Sequence, residues 1–217
     1  MLNNYDKIAN IYDKLSRLIY GKAQVNAQID QLKFIPKGGS ILIVGGGTGW
    51  ILEEISKVHP SGIKITYVEI SAKMIALSKV RAISGNSVKF VNIGIEHFDS
   101  EELFDVISTP FLFDNFNASR IDEVFCLLHN RLKPNGLWLL VDFTLREKGG
   151  KWWKWMLLKS MYLFFRLLKI VEARRLIDME HYFLTEKYTM LEQRLYYSQF
   201  IKSTVFKKPD EMQKGLE

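Results

Sequence analysis

The chain has 217 residues, of which 47% are hydrophobic and 25% are charged, and its formal net charge is +6 at pH 7. This length and apolar content favour one globular domain and argue against a disordered, fibrous or repeat protein. The single cysteine, Cys126, excludes an intrachain disulfide, and its apolar neighbours predict a buried thiol.

The distribution of charge and hydrophobicity predicts where the chain meets its surroundings. The first residues lack the basic and apolar stretches of a secretory signal, which predicts a cytoplasmic protein. The most hydrophobic stretch, residues 152–171, is interrupted by lysine and arginine and is not expected to span a membrane. All of the excess positive charge lies in residues 145–217, together with Trp152, Trp153 and Trp155, so we expect a basic and aromatic surface there.

The predicted elements begin with a helical segment over residues 1–37, which ends at Pro36 and the glycines that follow. The spacing of apolar residues then changes. Residues 41–44 form a short, continuous apolar run before a glycine cluster, which is typical of a parallel strand buried on both faces. Similar runs predict strands at residues 64–68, 88–91, 106–108 and 137–141. Helical patterns between the strands predict helices at residues 50–58, 73–83 and 120–132.

This alternation of strands and helices stops after Asp142. Residues 152–172 have the pattern of a long helix, and residues 190–196 and 200–206 predict a β-hairpin around residues 197–199. The sequence therefore predicts an α/β fold with a doubly wound, Rossmann-like sheet of seven strands, mostly parallel, with an antiparallel C-terminal hairpin.

We expect one domain over residues 1–208, followed by a disordered tail at residues 209–217. The predicted parts are an N-terminal helical cover (1–37), a cofactor-binding core (40–145), a helical insertion after the fifth strand on the substrate side (146–187) and the C-terminal hairpin (188–208).

A glycine-rich loop follows the first predicted strand and consists of Gly45, Gly46, Gly47, Thr48 and Gly49. Glycine lets the backbone turn tightly and approach a ligand, and the amides of the next helix point toward that ligand. Glu69 ends the second predicted strand, about 20 residues after the last glycine, the spacing at which a carboxylate binds two ribose hydroxyls. Together these features predict a nucleotide-like cofactor.

The spacing of the glycines distinguishes between two cofactors. A dinucleotide fingerprint requires a third small residue, which here falls on Trp50, whose bulk should prevent close packing of helix and strand. S-adenosylmethionine is therefore the better fit.

Several short motifs support this choice in chain order. They are Tyr5-Asp6-Lys7-Ile8-Ala9 with Tyr12-Asp13, the glycine loop, Val68-Glu69-Ile70-Ser71 with Met74, Phe104-Asp105-Val106-Ile107 and Leu132-Lys133-Pro134-Asn135-Gly136. With these motifs the sequence resembles the class I S-adenosylmethionine-dependent methyltransferases, particularly the branch of the ubiquinone and menaquinone C-methyltransferases (type 11). The resemblance covers roughly residues 5–145.

The resemblance implies roles for individual residues. Gly45 and Gly47 would border the methionine part of S-adenosylmethionine, and Glu69 would hold its ribose. The other residues that the resemblance brings into the cofactor site are Tyr12, Ile70, Met74, Ile95 and Thr109. No metal is expected.

Two positions depart from the family pattern. Ile43 stands where an acidic residue usually helps to orient the cofactor's amino group, and Gly94 stands where an aspartate usually binds the adenine amine. Glu96, two residues further on, is the expected substitute for the second function, whereas no nearby acid replaces Ile43. A non-catalytic cofactor-binding protein is thus one alternative to an enzyme.

Methyl transfer requires little from side chains, because the sulfonium is already activated and the acceptor only has to be held close and in line. A base is needed if the acceptor must lose a proton, and the candidates near the strand ends are Asp114, Asp142 and Tyr12.

The predicted substrate side is the long helix after the fifth strand. Its basic residues, Lys151, Lys154, Lys159, Arg166 and Lys169, share one stripe of the helix and leave a wide apolar face. Such a helix could cover a small hydrophobic acceptor, contact an anionic membrane surface from a peripheral position, or pack its apolar face on the sheet. Basic and aromatic residues are also compatible with an RNA methyltransferase, but no RNA-binding module is recognisable and DNA is not expected. A nicotinamide-dependent oxidoreductase is the remaining alternative.

Overall fold

The computed structural model describes residues 5–145, 151–167 and 176–210. Its seven strands are β1 (Ser40–Val44), β2 (Ser61–Val68), β3 (Gly85–Val91), β4 (Phe104–Pro110), β5 (Leu132–Phe143), β6 (Thr189–Tyr196) and β7 (Ile201–Lys207). Its α-helices are α1 (Ala9–Tyr20), α2 (Ala23–Ile29), α3 (Trp50–Val58), α4 (Ala72–Lys79), α5 (Ala118–Arg131), α6 (Lys151–Leu167) and α7 (Glu180–Thr185).

The strands form one sheet in the order β3-β2-β1-β4-β5-β7-β6. The first five are parallel to their neighbours, and β7 is antiparallel to both β5 and β6. Strand order reverses direction between β1 and β4, and ligands of doubly wound sheets bind at the carboxyl ends of the strands beside such a switch. The predicted doubly wound, seven-stranded fold with an antiparallel hairpin is confirmed.

Helices cover both faces of the sheet and bury its apolar strands. On one face, α5 and α7 pack on a cluster centred on Trp138, Phe183 and Phe206. On the other face, α3 and α4 pack over β1 and β2, while α1, α2 and α6 share a third cluster at the β5–β7 end, around Phe143 and Phe200. The N-terminal helices and α6 therefore lie together above the carboxyl ends of β4 and β5.

The hairpin between β6 and β7 closes through three consecutive residues with positive φ, Tyr197 (50°), Ser198 (50°) and Gln199 (68°). Left-handed backbone is unfavourable for residues other than glycine. The turn is held against α1, because the Tyr197 hydroxyl donates a hydrogen bond to the Ile19 carbonyl at 2.6 Å.

Two predictions need correction, and one element, α7, was not predicted. The helix predicted over residues 73–83 ends at Lys79. Cys126 is exposed, since Val124, Phe125 and Leu128 turn toward the core and leave it on the outer side of α5.

The structure gives two basic residues of α6 different environments, because Lys159 is exposed and Lys154 is not. Lys154 is almost completely buried, whereas Trp152 and Trp155 are 71% and 52% exposed. Residues 168–172 of the predicted helix, parts of the predicted insertion and residues 211–217 of the predicted tail lie outside the described residues. Within the described ranges, no helix has the length and hydropathy required to cross a bilayer.

Candidate active site

A cleft of about 1010 Å³ opens at the carboxyl ends of β1, β2 and β4, under α1 and α2. Its wall combines the glycine loop, the loop after β2, the residues after β3 and β4, and the inner side of the N-terminal helices. The cleft therefore lies where the strand order predicts a ligand.

The glycine loop has a backbone that only glycine adopts easily. Gly45, Gly47 and Gly49 have φ of 69°, 64° and 77°. At Gly46 an added Cβ would lie 2.5 Å from the ring of Tyr67, whose hydroxyl donates to the Gly47 carbonyl at 2.9 Å. Tyr67 thus packs against one side of the glycine loop, and the other side of the loop faces the cleft.

Glu69 is held in the cleft wall by backbone donors. Its Oε2 accepts from the Gly47 amide at 3.1 Å, and its Oε1 accepts from the Ser71 amide at 2.9 Å. Burial raises the pKa of Glu69, and the hydrogen bonds from Ser71 and Gly47 offset part of this effect. A carboxylate has about four acceptor positions, so both oxygens can still accept hydrogen bonds from a ligand's hydroxyls.

The segment before and within α1 is tied to the loops that form the cleft. Asp13 accepts a hydrogen bond from the Thr48 hydroxyl at 2.8 Å, and Asp6 accepts from the Ser71 hydroxyl at 2.5 Å and from the Lys73 amide at 3.0 Å. These bonds connect the N-terminal segment to both the glycine loop and the loop that follows Glu69.

The opposite end of the cleft is aromatic and contains amide side chains. Tyr5 and Tyr12 meet edge to face, and the Tyr5 hydroxyl donates to Asn115 Oδ1 at 2.5 Å. Phe111 and Gln24 complete this part of the wall. Burial and the nearby carboxylates of Asp114, Asp13 and Glu69 raise the pKa of Tyr12, so its hydroxyl, which is neutral at physiological pH in any case, is still harder to deprotonate.

The structure brings most of the predicted cofactor residues together in this wall. These are Tyr12, Gly45, Gly46, Gly47, Thr48, Glu69, Ile70, Met74 and Ile95. Gly49, Glu96 and Thr109 are not among the lining residues.

Each of these three has a different environment. An added Cβ at Gly49 would lie 2.4 Å from Ser78, so this glycine permits α3 to approach α4. Thr109 is buried within β4, and its hydroxyl accepts a hydrogen bond from Trp138 Nε1 at 2.9 Å.

Glu96 lies beside Gly94, since a Cβ at Gly94 would be 2.9 Å from its Oε1. The same carboxylate is paired with Arg120, at 2.9 Å and 3.1 Å, and Arg120 itself lines the cleft. The acidic group thus occupies the space next to Gly94, with its charge balanced by the arginine. Ile43 is buried within β1.

Two of the three predicted base candidates lie behind the wall. Asp114 and Asp142 are both buried, and neither lines the cleft, whereas Tyr12 does. Burial and then the charge of Asp142 raise the pKa of Asp114, and burial raises the pKa of Asp142 to about 7. Asp142 faces a second cavity, together with Lys202 and Asp178.

Three wall residues were not predicted from the sequence. Asn115 and Gln28 carry no motif, and their place in the wall depends on contacts distant in sequence. Arg120 follows the α5 N-cap Asn117 and lies over the ring of Phe116 at 4.1 Å. Within the described part of the chain, no cluster of histidine, cysteine or acidic residues could hold a metal ion.

Comparisons with known proteins agree with this arrangement. Residues 41–136 match the family described as methyltransferase domain. Ubiquinone/menaquinone biosynthesis C-methyltransferase UbiE of Geotalea daltonii is 26% identical over 172 residues, which are 75% of this chain and 68% of the relative. The malonyl-acyl-carrier-protein O-methyltransferase of Bacillus anthracis is 29% identical over 140 residues, 64% of this chain; the chain spans about half, 48%, of that relative's length.

Among solved structures, 1,6-didemethyltoxoflavin-N1-methyltransferase of Burkholderia thailandensis, crystallised with 1,6-didemethyltoxoflavin and S-adenosylhomocysteine, has the same fold. Its TM-score is 0.66 at 14% identity, and the match covers 94% of this chain and 86% of that chain.

Proposed function

Because the chain belongs to the class I S-adenosylmethionine-dependent methyltransferases, we propose that it transfers the cofactor's methyl group to a small, hydrophobic acceptor bound in the same cleft. The observation that carries this proposal is the position of Glu69 in the cleft wall, fixed by the amides of Gly47 and Ser71. A buried acceptor pair beside a glycine cradle is what a ribose with two free hydroxyls requires.

The residues present fit S-adenosylmethionine in three respects. Gly45 and Gly47 leave room above a turn that side chains would strain. Ile70 and Met74 give apolar surfaces beside Glu69 for an adenine ring. The Glu96 carboxylate lies next to Gly94, the position of the family's aspartate, although it is paired with Arg120 and does not itself line the cleft. The absence of an acid at Ile43 leaves the orientation of the cofactor's amino group to other groups in the wall.

The acceptor end supports a hydrophobic substrate. Phe111, Phe116, Val25 and Tyr12 give this end of the cleft a predominantly apolar and aromatic wall. Its polar groups are mostly neutral amides and hydroxyls, which orient an acceptor without requiring it to be charged. UbiE, the relative named above, is named for ubiquinone and menaquinone biosynthesis, and this name agrees with an apolar acceptor.

S-adenosylmethionine supplies an activated methyl group, so the chain's residues contribute mainly by positioning. The α1 segment covers the reacting end of the cleft and limits the access of water. Tyr12, whose raised pKa makes its hydroxyl harder to deprotonate, is suited to donate a hydrogen bond to an acceptor's oxygen and not to act as a base. The acidic pair behind the wall, Asp114 and Asp142, is a proton-accepting group that does not line the cleft.

We also propose that the protein is cytoplasmic and contacts an anionic membrane from a peripheral position. The exposed side chains of Trp152 and Trp155 on α6 support the membrane contact. Tryptophan and basic residues are favoured at membrane interfaces.

Calorimetry with S-adenosylhomocysteine tests the cofactor site. We expect the wild-type chain to bind, and Glu69→Gln to weaken binding at least about tenfold, because each hydrogen bond to a charged acceptor contributes about 1.5–3 kcal/mol before compensation. Glu101→Gln, on an exposed loop residue, is the matched control and should leave affinity unchanged. Equal affinity of Glu69→Gln and wild type would contradict the assigned role.

Transfer of a radiolabelled methyl group from S-adenosylmethionine to quinone-type and other apolar acceptors tests the reaction. Binding of S-adenosylhomocysteine without transfer to any acceptor would favour a non-catalytic binding protein. Binding of a nicotinamide dinucleotide in its place would contradict the proposal.

A further inference from the structure

Two helices expose apolar side chains to solvent: α1, which lines the cleft, and α6, which packs on the same aromatic cluster as α1. On α6, Trp152, Trp155 and Met156 are exposed, and on α1, Ile11 and Leu18 are exposed, Leu18 by 82%. Most surface apolar residues of a globular protein are scattered, and contiguous groups of large ones mark interaction sites.

The inward faces of the two helices explain why these residues point outward. On α1, Tyr12, Asp13 and Ser16 line the cleft. On α6, Leu158 and Lys154 are buried. At about 100° per residue, Ile11 and Leu18 lie on the side of α1 opposite the cleft.

Both helices pack on the same two aromatic residues. Tyr20 of α1 contacts Tyr197 and Phe200, with ring centroids 5.4 Å and 6.5 Å apart, and Trp153 of α6 contacts the same rings at 5.9 Å and 6.0 Å. Because the buried sides of α1 and α6 pack on one cluster, the two helices lie near each other at the β5–β7 end of the sheet. We call the exposed residues of α1 and α6 together the α1–α6 surface: Ile11, Lys14, Arg17, Leu18, Trp152, Trp155, Met156 and Lys159.

The charge of the α1–α6 surface is positive. Lys14 and Arg17 are exposed on α1, and Lys159 lies over the ring of Trp155 at 4.7 Å. The sequence of α6 contains no acidic residue, and the one acid of α1, Asp13, is bonded to the Thr48 hydroxyl on the inner side. A surface that combines exposed tryptophans with basic side chains and lacks carboxylates is complementary to an anionic lipid headgroup layer.

We infer that the α1–α6 surface docks on an anionic lipid bilayer and brings the cleft, whose wall includes the inner side of α1, to about one helix diameter, roughly 10 Å, from the headgroups. This deepens the proposed function and rests on it for the hydrophobic acceptor. A lipid-soluble acceptor would then reach the cleft from the membrane and not through water.

Sedimentation with vesicles tests the docking surface. The full chain should bind vesicles of phosphatidylcholine with about one third phosphatidylglycerol and bind pure phosphatidylcholine at least about tenfold more weakly. Binding should also weaken as salt shortens the Debye length from about 10 Å at 0.1 M to about 3 Å at 1 M.

Two double variants separate the contributions of the helices. Trp152→Ser with Trp155→Ser, and Lys14→Glu with Arg17→Glu, should each reduce binding to anionic vesicles about tenfold or more. The matched controls are Val80→Ser with Leu184→Ser, which remove two exposed apolar side chains elsewhere, and Lys64→Glu with Lys89→Glu, which reverse two exposed charges on β2 and β3. Both control pairs should bind vesicles like the wild type.

S-adenosylhomocysteine calorimetry on the same proteins distinguishes this inference from the proposed function. Unchanged cofactor affinity in the four double variants shows that each remains folded. Failure of the wild type to bind anionic vesicles overturns the docking inference and leaves the methyltransferase proposal standing. If the wild type does not bind S-adenosylhomocysteine, the methyltransferase proposal is overturned instead. Docking on lipid would also be overturned if the surface charge variant and the control charge variant lost vesicle binding equally. The same holds if the wild type forms a dimer that only the tryptophan variant disrupts.

Discussion

Two buried side chains carry ionisable groups that the fold stabilises poorly. Asp142 lies at the end of β5, where Oδ1 accepts from the Phe143 amide and Oδ2 has no hydrogen-bond partner within the described residues. Lys154 of α6 is buried, and its Nζ likewise has no hydrogen-bond partner there. Burying an unsatisfied polar group costs free energy, so both residues should influence stability in ways that a substitution can reveal.

Replacing Asp142 with asparagine should stabilise the protein at alkaline pH. The pKa of Asp142 is raised to about 7, so its charged form is disfavoured in the folded state, and stability falls as pH rises from the ordinary aspartate pKa through this value. Asp142→Asn keeps the acceptor for the Phe143 amide but cannot ionise. Thermal unfolding should give a higher Tm for the variant at about pH 8 and a smaller difference at about pH 5. The exposed control Asp99→Asn should show no such pH dependence, and a variant less stable than wild type at both pH values would contradict the prediction.

Replacing Lys154 with methionine should also stabilise the protein. Methionine keeps the length of the side chain and removes the buried amine, so the free energy of unfolding should rise by about 1–3 kcal/mol. Denaturant unfolding measures the change, and Lys64→Met, at an exposed strand position, provides the control. A lower stability of Lys154→Met would contradict the prediction and indicate that the contact of the amine with the Trp153 ring, at 6.0 Å, outweighs the cost of its burial.

At the scale of elements, α1 and the residues before it act on the cleft through few bonds. Asp6 accepts a hydrogen bond from Ser71, and Asp13 accepts one from Thr48. The N-terminal segment is therefore bonded both to the loop that carries Glu69 and to the glycine loop. Because each loop also lines the proposed cofactor site, binding in the cleft and ordering of this segment should be linked.

Hydrogen exchange measures that link. Saturating S-adenosylhomocysteine should slow amide exchange in α1, and Asp6→Asn with Asp13→Asn should weaken cofactor affinity several-fold by loosening the cover. Glu101→Gln is a suitable reference for both measurements. Exchange in α1 that is the same with and without S-adenosylhomocysteine would show that the helix is simply packed on the core.

Periodicity and spacing were sufficient to predict the elements that have strong local patterns. β1 and Glu69 were predictable because a buried parallel strand is continuously apolar and the acid follows the glycines at a fixed distance. α7 was not, since six residues are too few to show a helical period. The burial of Lys154 was not predictable, because a helical wheel describes the faces of a helix but not which face packs on the core.

The same limit applies to the site. The place of Asn115 in the wall depends on a hydrogen bond to Tyr5, 110 residues away. The roles implied for Thr109 and Glu96 rest on motif position alone, and in the structure one faces Trp138 and the other Arg120. Whether Glu69 and the loop glycines bind the cofactor stays a prediction that the Glu69→Gln measurement addresses.

At the scale of the whole molecule, a ligand that binds only the folded chain should raise its stability. At a free concentration of about 100 times Kd, S-adenosylhomocysteine adds about 2.7 kcal/mol. For a domain of this size that corresponds to a rise in Tm of roughly 5–10 °C. Thermal unfolding with Glu69→Gln at the same ligand concentration should give a smaller rise, and a nicotinamide dinucleotide should give none; a dinucleotide shift larger than that of S-adenosylhomocysteine would contradict the cofactor assignment.

The position of β7 in the sheet has a consequence for biosynthesis. β7 is the last strand along the chain, yet it lies between β5 and β6. While the ribosome is still adding residues 201–207, the outer edge of β5 has no strand beside it, and β6 has nothing to pair with. Unpaired edges of apolar strands recruit other chains. Nascent or prematurely terminated chains should therefore depend on chaperones, and translation that stops before β7 should yield aggregates in place of a smaller folded protein.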